Sequence, residues 1–108
     1  MRFDVLLIEY AERDLDELYD YIVEHDAPGK AAHVLDRIEK ALESLSIFPE
    51  RSSYPKELLA LGIRDYRQIF FKPYRIIYQV IGRRVYIHLI ADGRRDMTAL
   101  LARRVLAD

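Results

Sequence analysis

Cysteine and tryptophan are missing from this 108-residue chain. The first absence excludes a disulfide scaffold, a thiolate metal site and a cysteine nucleophile together. Glycine and proline number only four each, and apart from the Pro28-Gly29 pair they stand singly between longer patterned stretches, so no linker or low-complexity tract is expected. The three histidines, His25, His33 and His88, lie far apart without metal-ligand spacing. No G-x-S-x-G elbow, phosphate loop or dinucleotide fingerprint occurs either, so the chain is expected to use no metal and no cofactor. Near the N-terminus only Val5-Leu6-Leu7-Ile8 is continuously apolar, too short for a signal peptide core or a membrane span. A cytoplasmic protein without membrane contact is expected.

What remains suits one globular domain spanning 1–108, with 51% hydrophobic and 32% charged residues. The net charge of −1 conceals a division. Residues 1–50 carry five basic against thirteen acidic side chains, a balance of −8, and residues 51–108 carry twelve against five, a balance of +7. Ten of those twelve cations are arginine, whose rigid fork of donors suits carboxylates and phosphates. Two readings stay open: the halves attract each other within the domain, or the basic half meets a partner.

Periodicity supplies the architecture. Residues 2–8 alternate around Phe3, Val5 and Leu7 and predict a short strand. From Ala11 the period becomes helical, with Leu15, Leu18, Tyr19 and Ile22 on one face and a stop near His25. Asp26 is a candidate N-cap for a second helix that admits Pro28 in its first turn. Along that helix Ala31, Val34, Leu35, Ile38, Ala41, Leu42, Leu45 and Phe48 fit an apolar stripe. Pro49 ends it, and 50–55 reads as a loop. Residues 66–71, 74–81 and 84–91 then alternate and are rich in Tyr, Ile, Val and Phe. Lys72-Pro73 and Gly82-Arg83 separate them at hairpin spacing, and residues 97–106 predict a short final helix. The expected fold is α+β: an N-terminal strand, a helical hairpin, and a three-stranded antiparallel meander forming one sheet packed on the helices, with a short C-terminal helix.

Strict alternation puts Val85, Ile87, Leu89 and Ala91, with Tyr74, Ile76, Tyr78 and Val80, on the face that meets the hairpin. The opposite face then shows Arg75, Ile77 and Gln79 beside Tyr86, His88 and Ile90, joined by Arg67. An uncovered sheet face of this composition predicts a binding surface. Asp14, Asp16, Glu17 and Asp20 read as a solvated helix face. A metal-free ribonuclease would need cations, which Arg67, Arg75, Arg94 and Arg95 could supply, and a base. No base is assigned, and His88 is the only neutral-pH titrator on that face.

Three segments in order, Gly62-Ile63-Arg64-Asp65-Tyr66-Arg67, Pro73-Tyr74-Arg75-Ile76-Ile77-Tyr78 and Asp92-Gly93-Arg94-Arg95-Asp96 followed by Leu100-Leu101, together with Ala11 and Asp14-Leu15, resemble the RelE/ParE superfamily of type II toxin–antitoxin toxins. The resemblance implies a small bacterial toxin, held inactive by a cognate antitoxin encoded nearby whose tail wraps the helices and sheet. RelE-type members cut messenger RNA on the ribosome and usually carry a lysine-rich site with a Tyr or His near the C-terminus. The corresponding tail here, residues 94–101, carries neither, and its Arg-Asp followed by Leu-Leu resembles the ParE branch. Studied ParE members poison DNA gyrase without cutting RNA. The resemblance therefore implies an inhibitor that binds a protein target, with DNA gyrase the leading candidate, and a ribosome-dependent endoribonuclease as the alternative. Arg64, Arg67, Arg75, Arg94 and Arg95 are the expected anchors for target or antitoxin, with Gln79, Tyr86 and His88 beside them. Tyr66, Tyr74 and Tyr78 are expected to be structural.

Overall fold

A computed structural model describes residues 2–107, so the first and last positions of the expected 1–108 domain lie outside it. The order is β1 (Asp4–Leu7), α1 (Glu9–His25), α2 (Lys30–Ser44), α3 (Lys56–Leu59), β2 (Arg67–Phe71), β3 (Tyr74–Ile81), β4 (Arg84–Asp92) and α4 (Met97–Leu101), continued by a π-helical turn, Ala102–Leu106. The four strands form one sheet in the order β1-β4-β3-β2. β2, β3 and β4 are the expected antiparallel meander, and β1 joins its far edge parallel to β4, with Val5 beside Val85 and Leu7 beside Ile87. Among the described residues no helix is long and apolar enough to cross a membrane.

The helical hairpin forms because both helices bury one stripe. α1 offers Ala11, Leu15, Leu18 and Ile22, and α2 offers Ala31, Val34, Ile38 and Leu42. These pack on Ile76, Tyr78, Val85 and Ile87 of the sheet. Tyr19, expected on the buried stripe, faces outward. Between the helices Gly29, not Asp26, occupies the N-cap of α2, at φ 86°, a left-handed backbone that glycine adopts without a Cβ clash. Asp26 instead closes α1 through its backbone N–H on Ile22 O. α2 also stops at Ser44, where the hydroxyls of Ser44 and Ser46 donate back to the carbonyls of Ala41 and Glu43. Phe48 therefore leaves the apolar stripe and lies exposed under the Arg51 guanidinium, 4.0 Å from its ring centre.

The second face of the sheet is not open as strict alternation predicts. It carries its own core, in which Ile77, Leu89 and Ala91 pack against Leu58 of α3 and Met97, Leu100 and Leu101 of α4. The phase changes at a β-bulge: Ile77 pairs with Leu89, but Tyr78 pairs with Ile87, which leaves His88 as the extra residue. One inserted residue exchanges the faces of everything beyond it. Leu89 and Ala91 thus turn from the hairpin to the second face, and Ile90 turns toward the hairpin.

Candidate functional site

The eight expected site residues do not form one surface. Arg75 lies inside the molecule, 6% exposed. Its Nη1 and Nη2 donate to the two carboxylate oxygens of Glu57 on α3, both at 2.8 Å. Its Nε and Nη2 also donate to Gln68 Oε1 at 3.0 and 2.5 Å. The Arg75 contact holds the Glu57 carboxyl below its ordinary value, against the opposing effect of burial. Gly93 lies against the stem of this arginine: a Cβ there would stand 2.8 Å from Arg75 Cδ and 3.2 Å from Pro73 O. The Asp92-Gly93 turn is therefore fitted to Arg75, and this arginine, expected as an anchor, is a structural member of the second core.

Lower on the same face a cleft of about 460 Å³ opens between Glu50, Arg64, Asp65, Arg67, Gln79, Val80 and Gly82. Arg64 is exposed and makes no ion pair among the described residues. Arg67 is half-buried and already employed, donating to Ser52 O at 2.7 Å and to the Tyr54 hydroxyl at 3.0 Å, with its guanidinium 4.5 Å from the Tyr54 ring centre. Gln79 pairs with Tyr86 across β3 and β4, so Tyr86 borders this region. His88, one step beyond, is half-buried with its ring edge-on to Tyr66 at 5.2 Å. Burial and the neighbouring Arg104 charge both push the His88 imidazole below the usual histidine value, so it is neutral at pH 7.

Arg94 and Arg95 lie elsewhere, on the rim of a groove of about 830 Å³ between the hairpin and the β3–β4 end of the sheet. Ile22, Val34, Tyr74 and Ile90 line its apolar part. Arg94 is 79% exposed and meets Asp92 at 2.6 Å, which holds the Asp92 carboxyl below its ordinary value. Arg95 and Lys72 make no ion pair among the described residues. On the helical wall Tyr21 stacks on His25, with ring centres 4.2 Å apart, and remains exposed toward solvent.

The tyrosines divide as expected. Tyr78 is fully buried, donates to Pro49 O at 2.6 Å and touches the Ser52 hydroxyl. Tyr74 belongs to the hairpin core, and Tyr66 packs on the second core. Desolvation raises the pKa of all three phenols, so all three stay protonated near neutrality. Asp14 departs from expectation. Instead of a solvated carboxylate it is a half-buried hub that accepts Arg104 through both oxygens, at 2.8 and 2.9 Å, and the Ile90 N–H at 3.1 Å. A carboxylate one helical turn from Leu18 and beside Leu15 offers a weak sign of that burial; Glu57, Gln68 and Arg104 offer none.

Comparison with known proteins places this geometry. A family pattern described as the ParE toxin of the type II toxin–antitoxin system parDE matches residues 5–97. Toxin ParE3 of Caulobacter vibrioides is 32% identical over 91 residues, covering 84% of this chain and 87% of that protein. A solved chain of a chromosomal ParDE system from P. aeruginosa superposes with a TM-score of 0.71 at 19% identity, over 83% of this chain and 95% of that one. An arginine-to-alanine double mutant of the E. coli toxin RelE in its free state superposes with a TM-score of 0.63 at 18% identity, over 93% of each chain. The two superpositions speak for the fold, and the sequence match over most of both chains speaks for descent: the chain belongs to the ParE toxin family of type II toxin–antitoxin systems.

Proposed function

We propose that this chain inhibits a protein target, DNA gyrase, in the cytoplasm, and that an antitoxin encoded beside it neutralises it. The observation that carries this reading is the groove rimmed by Arg94, Arg95 and Lys72 above an apolar floor. An amphipathic acidic segment suits it, with apolar side chains against Leu18, Tyr21 and Phe71, the accessible apolar part of the lining, and carboxylates on the three cations. The solved P. aeruginosa relative comes from a toxin–antitoxin pair, which supports a partner of this kind here. Arg64, Arg67, Gln79 and Tyr86 around the lower cleft, with His88 beside them, form a second surface for the target.

An endoribonuclease reading draws less support. Its only neutral-pH base on that face, His88, has an Nε2 atom shut away from solvent. Expression of the chain without its neighbour separates the two readings. Gyrase–DNA adducts with intact transcripts are expected, and transcript cleavage at ribosomes would replace this reading with the nuclease. Co-expression with the adjacent reading frame should restore growth and yield a co-purifying complex.

A further inference from the structure

The tail beyond α4 is held by few contacts: Val105 packs against the second core, and the Arg104 guanidinium lies 5.3 Å from the Tyr10 ring centre. None of the residues Ala102–Leu106 is buried, and only Arg104 and Val105 are half-buried. Arg104 makes the tail's one ion pair to the body among the described residues. It is the two-pronged contact with Asp14 of α1, made where the side chains are 16% and 13% exposed. The same guanidinium donates through Nη2 to the carbonyl of His88, the bulge residue, at 2.9 Å. Three elements distant in sequence, α1, β4 and the tail, thus converge on one arginine.

Beside this convergence two buried nitrogens have no hydrogen-bond partner, Nε2 of His88 and Nε of Arg104. The groups facing the imidazole are the Tyr66 ring from the loop before β2 and the Arg104 guanidinium from the tail. Asp14 stands behind Arg104, with its oxygens already filled by Arg104 and the Ile90 N–H. A neutral imidazole protonated on Nδ1 tolerates such a place, because Nε2 then carries only a lone pair. An imidazolium would bring an N–H without an acceptor and a second positive charge next to Arg104.

We propose that residues 102–106 are a strap latched by Arg104 to Asp14 over a neutral His88, and that protonation of His88 releases it. Release uncovers the imidazole beside Tyr86 and enlarges the open part of the second sheet face. The sign follows from burial and from Arg104. Both disfavour the charged ring in the latched state, so the latched state is favoured above the ordinary histidine value near 6.5 and weakens as pH falls below it. The bulge gives the device its position, since it carries His88 out of the regular pairing and its carbonyl toward Arg104.

Amide hydrogen exchange and a histidine proton titration on the full chain test this. Between about pH 7.5 and about pH 5.5, exchange at residues 102–106 should rise about tenfold beyond the intrinsic change, while the sheet amides keep their protection. His88 should titrate below the ordinary histidine value. Replacement His88→Gln should flatten the response, and Asp14→Asn should leave the tail unprotected at every pH. The proposal fails if wild-type His88 titrates at or above the usual value, or if His88→Gln keeps the wild-type response. Simultaneous loss of protection across the sheet would overturn it equally, because the event would then be global unfolding.

Discussion

Arg75 and Arg94 are the same side chain at the same end of the sheet, and the fold treats them oppositely. Arg75 sits under α3, with Glu57 and Gln68 occupying its donors. Arg94 projects from the turn after β4, pairs with Asp92 and keeps most of its surface in water. The contrast teaches that a guanidinium is an anchor for a partner only where the chain leaves it hydrated. Inside, its charge must be matched internally, because an unmatched buried charge costs several kcal/mol. At the surface, solvent screens the pair and the side chain remains available for exchange with another carboxylate.

The sharpest way to break this contrast is Glu57→Ala, which leaves Arg75 buried without its carboxylate. A loss of about 3–5 kcal/mol in a urea unfolding experiment is expected. Its pH counterpart is Glu57→Gln. Because the folded pKa of Glu57 is depressed, its contribution is present above about 4.5 and disappears as pH falls through the folded value. The variant should therefore show a shallower acid limb in a plot of stability against pH, and an unchanged limb would contradict the assignment.

Gly93→Ala comes next. The added methyl meets the Arg75 stem and a backbone carbonyl, so about 1–3 kcal/mol should be lost. A neutral result would mean that Arg75 is not held as tightly as its contacts imply. Tyr78→Phe removes the hydroxyl that donates to Pro49 O and should cost about 1–2 kcal/mol, read as a lower thermal midpoint. Arg94→Ala stands at the other extreme. Its effect on folding should stay within about 0.5 kcal/mol, while affinity for the antitoxin, measured by calorimetry, falls. If Arg94→Ala unfolds the protein, or Glu57→Ala does not destabilise it, the distinction between the two arginines collapses.

Much of the fold was readable from the chain. The stripe through Ala31, Val34, Ile38 and Leu42, and the tyrosine- and isoleucine-rich strands with their two hairpin turns, are properties of neighbouring residues and survive unchanged. The candidate site was less readable. Alternation assigned Leu89, Ile90 and Ala91 to the wrong faces because the bulge at His88 exists only in the pairing of β3 with β4. Nothing local marks it. The covering of the second face was hidden for a similar reason. α3 is a four-residue helix, too short to show a period, and Leu58 reveals its role only through contact with the sheet.

Local side-chain spacing and turn chemistry, then, decided by themselves that this chain makes a strand, a helical hairpin and a meander, since those forces act between residues a few positions apart. Only the tertiary structure decided which charges are spent within the molecule. Glu57 reaches Arg75 across 18 positions and Asp14 reaches Arg104 across 90, and such pairs are chosen by burial after the layers have come together.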